Sequence, residues 1–389
     1  MNTIPYGRQD ISQNDIDAVV TVLRSEYLTQ GPIVPAFEKA VADYCCSQHA
    51  VAANSATSAL HIACLALDVG PGDLVWTTPS TFVASANCAL YCGAKVDFVD
   101  IDSRSYNLSV ERLAEKLVLA KKTGSLPKVV IPVHLCGQPC DMARIHALSQ
   151  QYDFKVIEDA SHAIGGKYEN EPIGNCRYSD ITVFSFHPVK IITTGEGGMA
   201  VTNDAALAKH MRLLRSHGIS SSVEDMQPRP SQEIWNYQQV DLGFNYRLTD
   251  IQAVLGLSQM LRLDEFVKRR HIIAKRYDQQ LSALPLLTPW QHEAGYSSYH
   301  LYVIRLKLDE INKTQRQVYD ELSARKLGIN LHYIPVYRQP YYEKMGFKAG
   351  YCQQAELYYS EAISIPLYPT LSEAQQDKVV SIICETIGT

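Results

Sequence analysis

Short β-rich runs alternate with helical stretches over the first two-thirds of the chain. Four apolar runs rich in β-branched or aromatic residues are typical of buried strands: 129–133, 154–158, 181–185 and 199–202. Residues 56–67 and 142–151 instead carry apolar side chains at helical spacing. Because parallel strands are joined by helical crossovers, the alternation predicts an α/β fold whose mostly parallel sheet is covered by helices on both faces.

The last third of the chain carries a different pattern. A polar stretch at 220–239 that includes Pro230 is predicted to be a surface loop. A long amphipathic helical region at 250–281 follows it, and then helices mixed with a strand at 302–306. A chain of 389 residues is long enough for two domains. We therefore predict two domains: a large one over 1–250, and a linker helix with a small α+β domain over 251–389.

Charge and composition exclude several classes of partner. The net charge is −5, which gives no electrostatic reason to expect nucleic acid or a membrane surface as partner. No apolar run reaches the roughly 18 residues that span a bilayer, and residues 1–10 lack the apolar stretch of a signal peptide. The ten cysteines show no zinc-finger spacing. We therefore expect a cytoplasmic protein with reduced thiols and no metal site.

The segment 185–190 places a lysine just beyond a predicted strand. Ser185 ends the strand, Lys190 lies in the turn after it, and a glycine-rich turn at 195–198 leads into the next strand. A lysine held there can form a Schiff base with an aldehyde cofactor once its ammonium is easier to deprotonate. Glycines permit a tight turn close to a bound group. Taken alone, the same pattern is typical of a solvated surface lysine, so the assignment depends on other motifs.

The segment 156–163 ends a hydrophobic strand in a carboxylate. Asp159 therefore lies where open α/β sheets place their ligands, and a carboxylate there can pair with a protonated pyridine nitrogen. The same residue could instead cap the N-terminus of a helix. His162, taken alone, could equally be a hydrogen-bonded residue near the core.

The segment 54–60 opens a predicted helix with small and hydroxyl residues. The free backbone N–H groups and the dipole of a helix N-terminus form a natural phosphate site. Plain capping of the helix by Ser55 or Thr57 explains the same residues.

Together, the helix start, the strand-end carboxylate and the strand-end lysine occur in an order that resembles the sugar-nucleotide branch of the fold-type I aminotransferases, the DegT-like family. The resemblance covers nearly the whole chain, and further segments carry it: 4–7, 28–32, 79–82, 243–247 and 331–335. It implies a mostly parallel seven-stranded sheet between helices, pyridoxal 5'-phosphate as cofactor, and a homodimer with shared active sites.

The resemblance also implies roles for individual residues. Lys190 matches the lysine that holds the cofactor and moves the proton, and Asp159 matches the partner of the pyridine nitrogen. Other positions match cofactor contacts: His162 at the phenolic oxygen, Phe82 against the ring, Ala56, Thr57 and Ser185 at the phosphate, and Asn245 at the phosphate of a second subunit. The positions that match contacts to the sugar nucleotide are Tyr6, Glu26, Tyr27, Leu28, Thr29, Arg247, His332 and Tyr333.

Within the family, the segments 6–9, 185–190 and 332–337 are most similar to the 4-aminotransferases of pseudaminic acid biosynthesis. This similarity implies transfer of an amino group from L-glutamate to C4 of a UDP-linked 4-keto-6-deoxy-N-acetyl sugar, giving UDP-4-amino-4,6-dideoxy-N-acetyl-β-L-altrosamine for surface glycans such as those of flagellin. Other nucleotide-linked keto sugars remain alternatives: a UDP-4-keto-pentose, or a GDP- or dTDP-linked keto sugar.

Three other functions are weighed against transamination. A sugar dehydratase of the family replaces the lysine with histidine, whereas this chain keeps Lys190. A cysteine desulfurase would need a reactive cysteine on a mobile loop beside an activating base, and the sequence offers none. A non-catalytic sensor tends to lose the lysine or the carboxylate, and both are present.

Overall fold

The computed structural model describes residues 3–228, 233 and 235–388. The elements of the first part are α1 (Gln13–Leu23), α2 (Ile33–Cys45), β1 (His49–Ala53), α3 (Ala56–Ala66), β2 (Leu74–Thr77), α4 (Ala84–Tyr91), β3 (Lys95–Phe98), α5 (Val110–Thr123), β4 (Val129–Ile131), α6 (Met142–Tyr152), β5 (Lys155–Asp159), β6 (Lys167–Tyr168), β7 (Glu171–Pro172), β8 (Ile181–Ser185), β9 (Gly198–Thr202) and α7 (Ala205–Arg215). These elements build the main sheet and its helical layers.

The main sheet has seven strands in the order β1-β9-β8-β5-β4-β2-β3. Strand β9 runs antiparallel to both of its neighbours, and every other pair in the sheet is parallel. The strands are almost wholly buried because helices cover both faces, which explains their continuous apolar character. The predicted α/β fold with a mostly parallel seven-stranded sheet is confirmed.

The elements of the second part are β10 (Ile219–Ser220), β11 (Gln238–Gln239), α8 (Asp250–Met260), α9 (Leu263–Leu281), β12 (Leu286–Leu287), β13 (Gly295–Tyr296), β14 (Tyr302–Leu306), α10 (Gln315–Ala324), α11 (Pro340–Glu343), α12 (Gln353–Glu361), β15 (Ala362–Ile365) and α13 (Glu373–Ile387). Strands β12, β14 and β15 form a small antiparallel sheet. Together with α9, α10 and α13 they enclose a second hydrophobic cluster. We propose that the second domain is organised around this cluster.

The helical region predicted at 250–281 is two helices rather than one. Helix α8 ends at Met260 and α9 begins at Leu263, and Arg262 between them pairs with Asp10 at 2.7 Å. Helix α8 packs on α1 and α2, whereas α9 packs on α13. The change of direction follows from these different partners, which lie far away in the sequence.

The loop predicted at 220–239 is irregular in its described part, and its ends are joined by the short pair β10–β11. Pro230 lies outside the described residues. No helix in the described ranges is long and apolar enough to cross a bilayer. Among the same residues, no three His, Cys, Asp or Glu side chains are grouped so that they could hold a metal ion.

Strand register brings four chain segments to one edge of the main sheet. Asp159 at the end of β5 pairs with Val183 of β8, and β8 ends two residues later at Ser185. Gly198 at the start of β9 pairs with both Ser185 and Ala53, the last residue of β1. Helix α3 starts three residues after Ala53, so its N-terminus lies at the same edge.

Candidate active site

A cavity of about 1130 Å³ opens at this edge of the sheet. Its walls come from both parts of the chain. The first part contributes Tyr6, 54–58, Leu60, 81–84, Val133, Asp159, Ser161, His162, Ser185, His187, Val189, Lys190 and Glu196, and the second part contributes Gln252, His300, 330–334 and Gln339. Ten predicted site residues therefore share one cavity, although their positions range from Tyr6 to Tyr333.

Lys190 lies in the turn that follows β8. The turn is held by backbone hydrogen bonds, from the N–H of Lys190 to the carbonyl of His187 (2.9 Å) and from the N–H of Thr194 to the carbonyl of Phe186 (3.0 Å). Burial lowers the pKa of Lys190 to about 8, although the negative charge of Asp159 acts in the opposite direction and raises this pKa. A larger fraction of the amine is therefore uncharged at neutral pH than for an exposed lysine.

Asp159 is 4% exposed, and both of its carboxylate oxygens accept hydrogen bonds. The Ser85 hydroxyl donates to Oδ2 (2.6 Å), and the backbone N–H of Ser161 donates to Oδ1 (3.0 Å). The residues after Asp159 form turns rather than a helix, so helix capping does not explain this carboxylate. Its charge is fixed in the cavity wall, where it can stabilise a cation.

The N-terminus of α3 faces the cavity. Ser55 caps the helix by accepting the N–H of Ser58 (3.1 Å), so the capping role predicted as an alternative is present. Capping leaves the first-turn N–H groups at Ala56 and Thr57 without intrahelical partners. Gly198 packs directly behind this turn, since a Cβ there would lie 2.4 Å from the nitrogen of Ala56. The turn is therefore held in place at a point that suits an anion.

The hydrogen bonds of His162 determine which of its ring nitrogens carries hydrogen. The backbone N–H of Cys136 donates to Nδ1 (3.3 Å), and Nε2 lies 3.3 Å from the Tyr333 hydroxyl. Burial, aided by the charge of Lys190, lowers the pKa of His162 well below its usual value, so the ring is neutral. Because Nδ1 accepts, the hydrogen is on Nε2 and is available for an acceptor in the cavity.

Aromatic side chains cover the remaining cavity walls. The Phe82 ring is 56% exposed, and its centroid lies 6.4 Å from that of Tyr333. The Tyr6 ring lies 5.3 Å from the His332 ring. Burial lowers the pKa of His332 to about 3, so this ring is also neutral, and its Nδ1 lies 2.7 Å from the Ser364 hydroxyl. This arrangement gives a flat group room to lie against Phe82 between polar walls.

Six predicted site residues lie outside the cavity of this single chain: Glu26, Tyr27, Leu28, Thr29, Asn245 and Arg247. The loop 26–29 is exposed and is attached to the start of α8, where the N–H of Asp250 donates to the carbonyl of Leu28 (3.0 Å). Asn245 is also exposed. Its backbone carbonyl accepts from the Asn54 side chain (3.4 Å), which places it beside the cavity rim.

Several cavity residues carried no sequence signal. His300 is 4% exposed, and Asn330, Gln339, Glu196 and Gln252 also line the cavity. His300 lies more than a hundred residues from Lys190 and two residues before β14, and its surroundings in the sequence have no motif character. Only the packing of the second part against the main sheet brings it to the site.

The donor set fits pyridoxal phosphate. The site offers an anion position at a helix N-terminus against which Gly198 leaves no room for a Cβ, a strand-end carboxylate for a pyridine nitrogen, and an amine with a lowered pKa. Nδ1 of His300 is also buried without a hydrogen-bond partner among the described residues, as is common where a ligand supplies the missing group.

This fold and cavity define a pyridoxal-phosphate-dependent aminotransferase of fold-type I. The chain belongs to the DegT/DnrJ/EryC1/StrS aminotransferase family, whose sequence pattern matches residues 9–384. It is therefore a sugar aminotransferase that uses pyridoxal phosphate.

Two curated relatives are similar over almost their full length. The spore coat polysaccharide biosynthesis protein SpsC of Bacillus subtilis is 37% identical over 387 residues, 99% of this chain and 97% of that protein. A UDP-4-amino-4,6-dideoxy-N-acetyl-beta-L-altrosamine transaminase of Campylobacter jejuni is 36% identical over 370 residues, 95% of this chain and 93% of that protein.

Solved structures agree with the fold along the whole chain. PseC of Helicobacter pylori, an aminotransferase involved in the biosynthesis of pseudoaminic acid, superposes with a TM-score of 0.90 at 29% identity and covers 99% of both chains. The pyridoxal phosphate form of the sugar aminotransferase Spr1654 of Streptococcus pneumoniae gives a TM-score of 0.88 at 29% identity, covering 99% of this chain and 98% of that one.

Proposed function

We propose that this enzyme transfers an amino group from L-glutamate to C4 of a UDP-linked 4-keto-6-deoxy-N-acetyl sugar, giving UDP-4-amino-4,6-dideoxy-N-acetyl-β-L-altrosamine for pseudaminic acid. The observation that carries the proposal is the placement of Lys190, with its lowered pKa, opposite the buried carboxylate of Asp159 in one cavity. Similarity to the Campylobacter jejuni transaminase and to PseC supports this choice of sugar.

Lys190 and Asp159 have separate tasks in the proposed reaction. When bound, pyridoxal phosphate would supply a carbon that accepts the amino group and a ring that takes up negative charge. Asp159 would keep the pyridine nitrogen protonated, because its carboxylate is fixed by Ser85 and Ser161. The Lys190 amine would hold the cofactor between turnovers and carry the proton between the two reacting carbons.

The remaining cofactor contacts would use the helix start and the aromatic wall. Ala56 and Thr57 would bind the phosphate with backbone N–H groups, and Ser185 would add its hydroxyl. Phe82 would lie against the ring. His162 would donate its Nε2 hydrogen to the phenolic oxygen, in agreement with its deduced tautomer.

The sugar would occupy the side of the cavity formed by the second part of the chain. Asn330, His332, Tyr333 and Gln339 there, together with Tyr6, are polar, and the lowered pKa of His332 keeps its ring neutral. Such groups suit the hydroxyl and amide groups of an N-acetyl sugar, which are themselves neutral donors and acceptors.

A homodimer would complete each site. Asn245 is exposed beside the cavity rim, and loop 26–29 is exposed where it joins the start of α8. Exposed apolar side chains belong to this surface: Tyr27 and Leu28 lie in the loop, and Leu242 precedes Asn245. We propose that a two-fold interface covers this surface, so that Asn245 reaches the cofactor phosphate of the partner while loop 26–29 and Arg247 reach its sugar nucleotide.

A different nucleotide-linked keto sugar is the second candidate for the acceptor. SpsC is as similar to this chain as the Campylobacter jejuni transaminase is, and its name refers to spore coat polysaccharide. The chemistry at Lys190 and Asp159 would be unchanged, and only the contacts with the sugar would differ.

A substrate panel separates the two candidates. The purified enzyme is incubated with L-glutamate and, separately, with UDP-4-keto-6-deoxy-N-acetyl sugars, a UDP-4-keto-pentose, and GDP- and dTDP-linked keto sugars, and the amino products are identified by mass and NMR spectroscopy. The proposal predicts the highest kcat/KM for the UDP-linked 4-keto-6-deoxy-N-acetyl sugar and nitrogen at C4. A higher kcat/KM for any other member of the panel would replace the proposed acceptor.

A further inference from the structure

The residues 297–301, which connect β13 to β14, hold the backbone around His162. The Ser298 hydroxyl donates to the carbonyl of His162 (2.7 Å), and the N–H of Ser298 donates to the carbonyl of Gly137 (3.1 Å). The N–H of Leu301 donates to the carbonyl of Cys136 (3.4 Å). Cys136 is the residue whose N–H fixes the tautomer of His162. Segment 297–301 therefore holds the backbone of His162 and of Cys136, the residue that donates to its imidazole.

Helix α9 in turn holds segment 297–301 through two neighbouring side chains. Nη1 of Arg270 donates to the carbonyls of Tyr299, His300 and Leu367, each at 3.1 Å. His271 donates from Nε2 to the carbonyl of Ser297 (2.7 Å). Three of the five carbonyl groups of the segment, those of Ser297, Tyr299 and His300, are thereby held from one turn of α9.

If Arg270 served only to stabilise this segment, its burial would carry an unnecessary cost in free energy. The side chain is 1% exposed, and its contacts in the described part of the chain are with carbonyl groups rather than with a carboxylate. Burial lowers the pKa of Arg270 to about 9, so the group is still a cation at neutral pH. A buried charge without an opposite charge costs free energy that an apolar side chain of similar size would not.

The charge of Arg270 acts on the imidazole of His300. The rings of His300 and His162 lie with centroids 4.4 Å apart, and both line the cavity. Burial lowers the pKa of His300 well below its usual value, and the charges of Lys190 and Arg270 lower it further. Arg270 thus helps to keep a neutral imidazole next to His162.

We propose that Arg270 is a positioning residue for this active site. Through segment 297–301 it fixes His162 and His300, so that the Nε2 hydrogen of His162 and the uncharged His300 ring face the bound cofactor and substrate. The proposal rests on the proposed function for the identity of those ligands. The hydrogen bonds that lead from Arg270 through segment 297–301 to Cys136 lie within the protein and do not depend on which ligands bind.

The first test is hydrogen exchange of the cofactor-free protein in the variants Arg270→Met and Arg270→Lys. The matched control is Arg269→Met, because Arg269 lies on the same helix and donates to the carbonyls of Pro369 and Leu371 instead. We expect the amides of Cys136, Ser298 and Leu301 to exchange faster in Arg270→Met, at an intermediate rate in Arg270→Lys, and as in the wild type in Arg269→Met. Equal exchange in Arg270→Met and Arg269→Met would overturn the proposal.

The second test is the pH dependence of kcat/KM in the same variants, measured with glutamate as the amino donor. Loss of the Arg270 charge raises the pKa of His300, so the acid limb of Arg270→Met should move to higher pH, and kcat/KM should fall by at least about tenfold. Arg270→Lys keeps the charge and should restore the position of the limb. An acid limb that Arg270→Lys and Arg270→Met share would contradict the electrostatic part of the proposal.

A third variant covers the case in which Arg270→Met does not fold. Ser298→Ala removes only the hydroxyl that donates to the carbonyl of His162. It should speed exchange at Cys136 and lower kcat/KM while leaving the exchange of α9 unchanged. Exchange at Cys136 equal to that of the wild type would overturn the proposal. The exchange measurements need neither cofactor nor sugar, so their outcome is independent of whether the proposed substrate is correct.

Discussion

At the scale of single residues, the chemistry depends on how easily Lys190 loses its proton. Burial lowers the pKa of Lys190 to about 8, while Asp159 opposes this shift. An uncharged amine attacks an aldehyde and an ammonium does not. The two residues therefore set the pH at which the cofactor can be captured.

This electrostatic balance predicts the pH dependence of cofactor capture. The rate at which cofactor-free protein binds pyridoxal phosphate covalently should rise with pH and level off above a midpoint near 8, well below that of an exposed lysine. Asp159→Asn removes the charge that raises the pKa of Lys190, so its midpoint should lie below that of the wild type. Stopped-flow absorbance over pH 6 to about 10 measures both midpoints. A wild-type midpoint near 10 would show that burial does not affect this amine.

Asp159→Asn should also slow transamination while leaving the fold intact. The amide keeps the shape of the side chain but no longer holds a positive charge on the pyridine nitrogen, so negative charge on the reacting carbon is stabilised less. We expect kcat to fall by well over about tenfold, each factor of ten corresponding to about 1.36 kcal/mol of barrier. Steady-state kinetics with thermal unfolding as a control measure the two effects separately. A loss smaller than about tenfold would leave Asp159 a structural role only.

At the scale of secondary structure, the N-terminus of α3 and the start of β9 form one unit. Gly198 pairs with the ends of both β1 and β8, and it lies against the first turn of α3. A side chain at this position would meet backbone atoms of Ser55 and Ala56 at 2.4–2.5 Å. The phosphate position consequently depends on the absence of a Cβ in the neighbouring strand.

Gly198→Ala should therefore weaken cofactor binding. The added methyl group must displace the first turn of α3, which moves the N–H groups of Ala56 and Thr57 and costs stability, typically about 1–3 kcal/mol for overpacking. We expect the Kd for pyridoxal phosphate to rise at least about tenfold, by the loss of aligned phosphate donors. Gly70→Ala is the control, because nothing lies within 4 Å of its Cβ position. Equal Kd values for the two variants, measured by fluorescence titration, would remove α3 from the phosphate site.

The bounds of some strands and helices can be predicted from the sequence, and those of others cannot. Strands 181–185 and 302–306 are found with the predicted bounds, because a local run of apolar and β-branched residues is sufficient to predict a strand. The break between α8 and α9 could not be predicted, since it depends on Arg262 pairing with Asp10, more than 250 residues earlier. Local periodicity gives the elements, whereas their ends depend on distant partners.

Some residues of the candidate site can likewise be predicted from the sequence, and others cannot. Lys190, Asp159 and the start of α3 follow strands of the main sheet, and the rule that ligands bind at the carboxyl ends of strands brings them together. His300 could not be predicted, because it reaches the cavity through the packing of segment 297–301 against Cys136 and His162. The sequence likewise could not indicate that loop 26–29 lies outside the cavity of its own chain, whereas the family resemblance already implies that Asn245 serves a second subunit.

At the scale of the whole molecule, two defective chains should complement each other if each site is shared. Lys190→Ala removes the amine of its own site, and Asn245→Asp puts a negative charge near the phosphate of its partner's site. In a mixed dimer one site collects both defects and the other collects neither. Random subunit exchange gives mixed dimers in about half of all cases, so about a quarter of wild-type activity should return.

Activity of the mixture against each variant alone tests this arrangement, with exchange followed independently by mass spectrometry of differently tagged chains. Lys190→Ala mixed with Asp159→Asn is the matched control, because both residues lie in the cavity of their own chain. In that pair, every mixed dimer has a defect in each site, so no activity should return. Recovery in the control pair, or none in the Asn245→Asp pair, would contradict the shared site.

The central claim is that nitrogen passes from glutamate to the sugar through the cofactor held by Lys190. The most direct measurement follows the visible absorbance of the loaded enzyme in two additions. L-glutamate alone should bleach the band. After the excess glutamate has been removed, a UDP-linked 4-keto sugar should restore the band while one amino sugar forms per site, and Lys190→Ala should show neither change. A band in the wild-type enzyme that glutamate leaves unchanged would contradict the account.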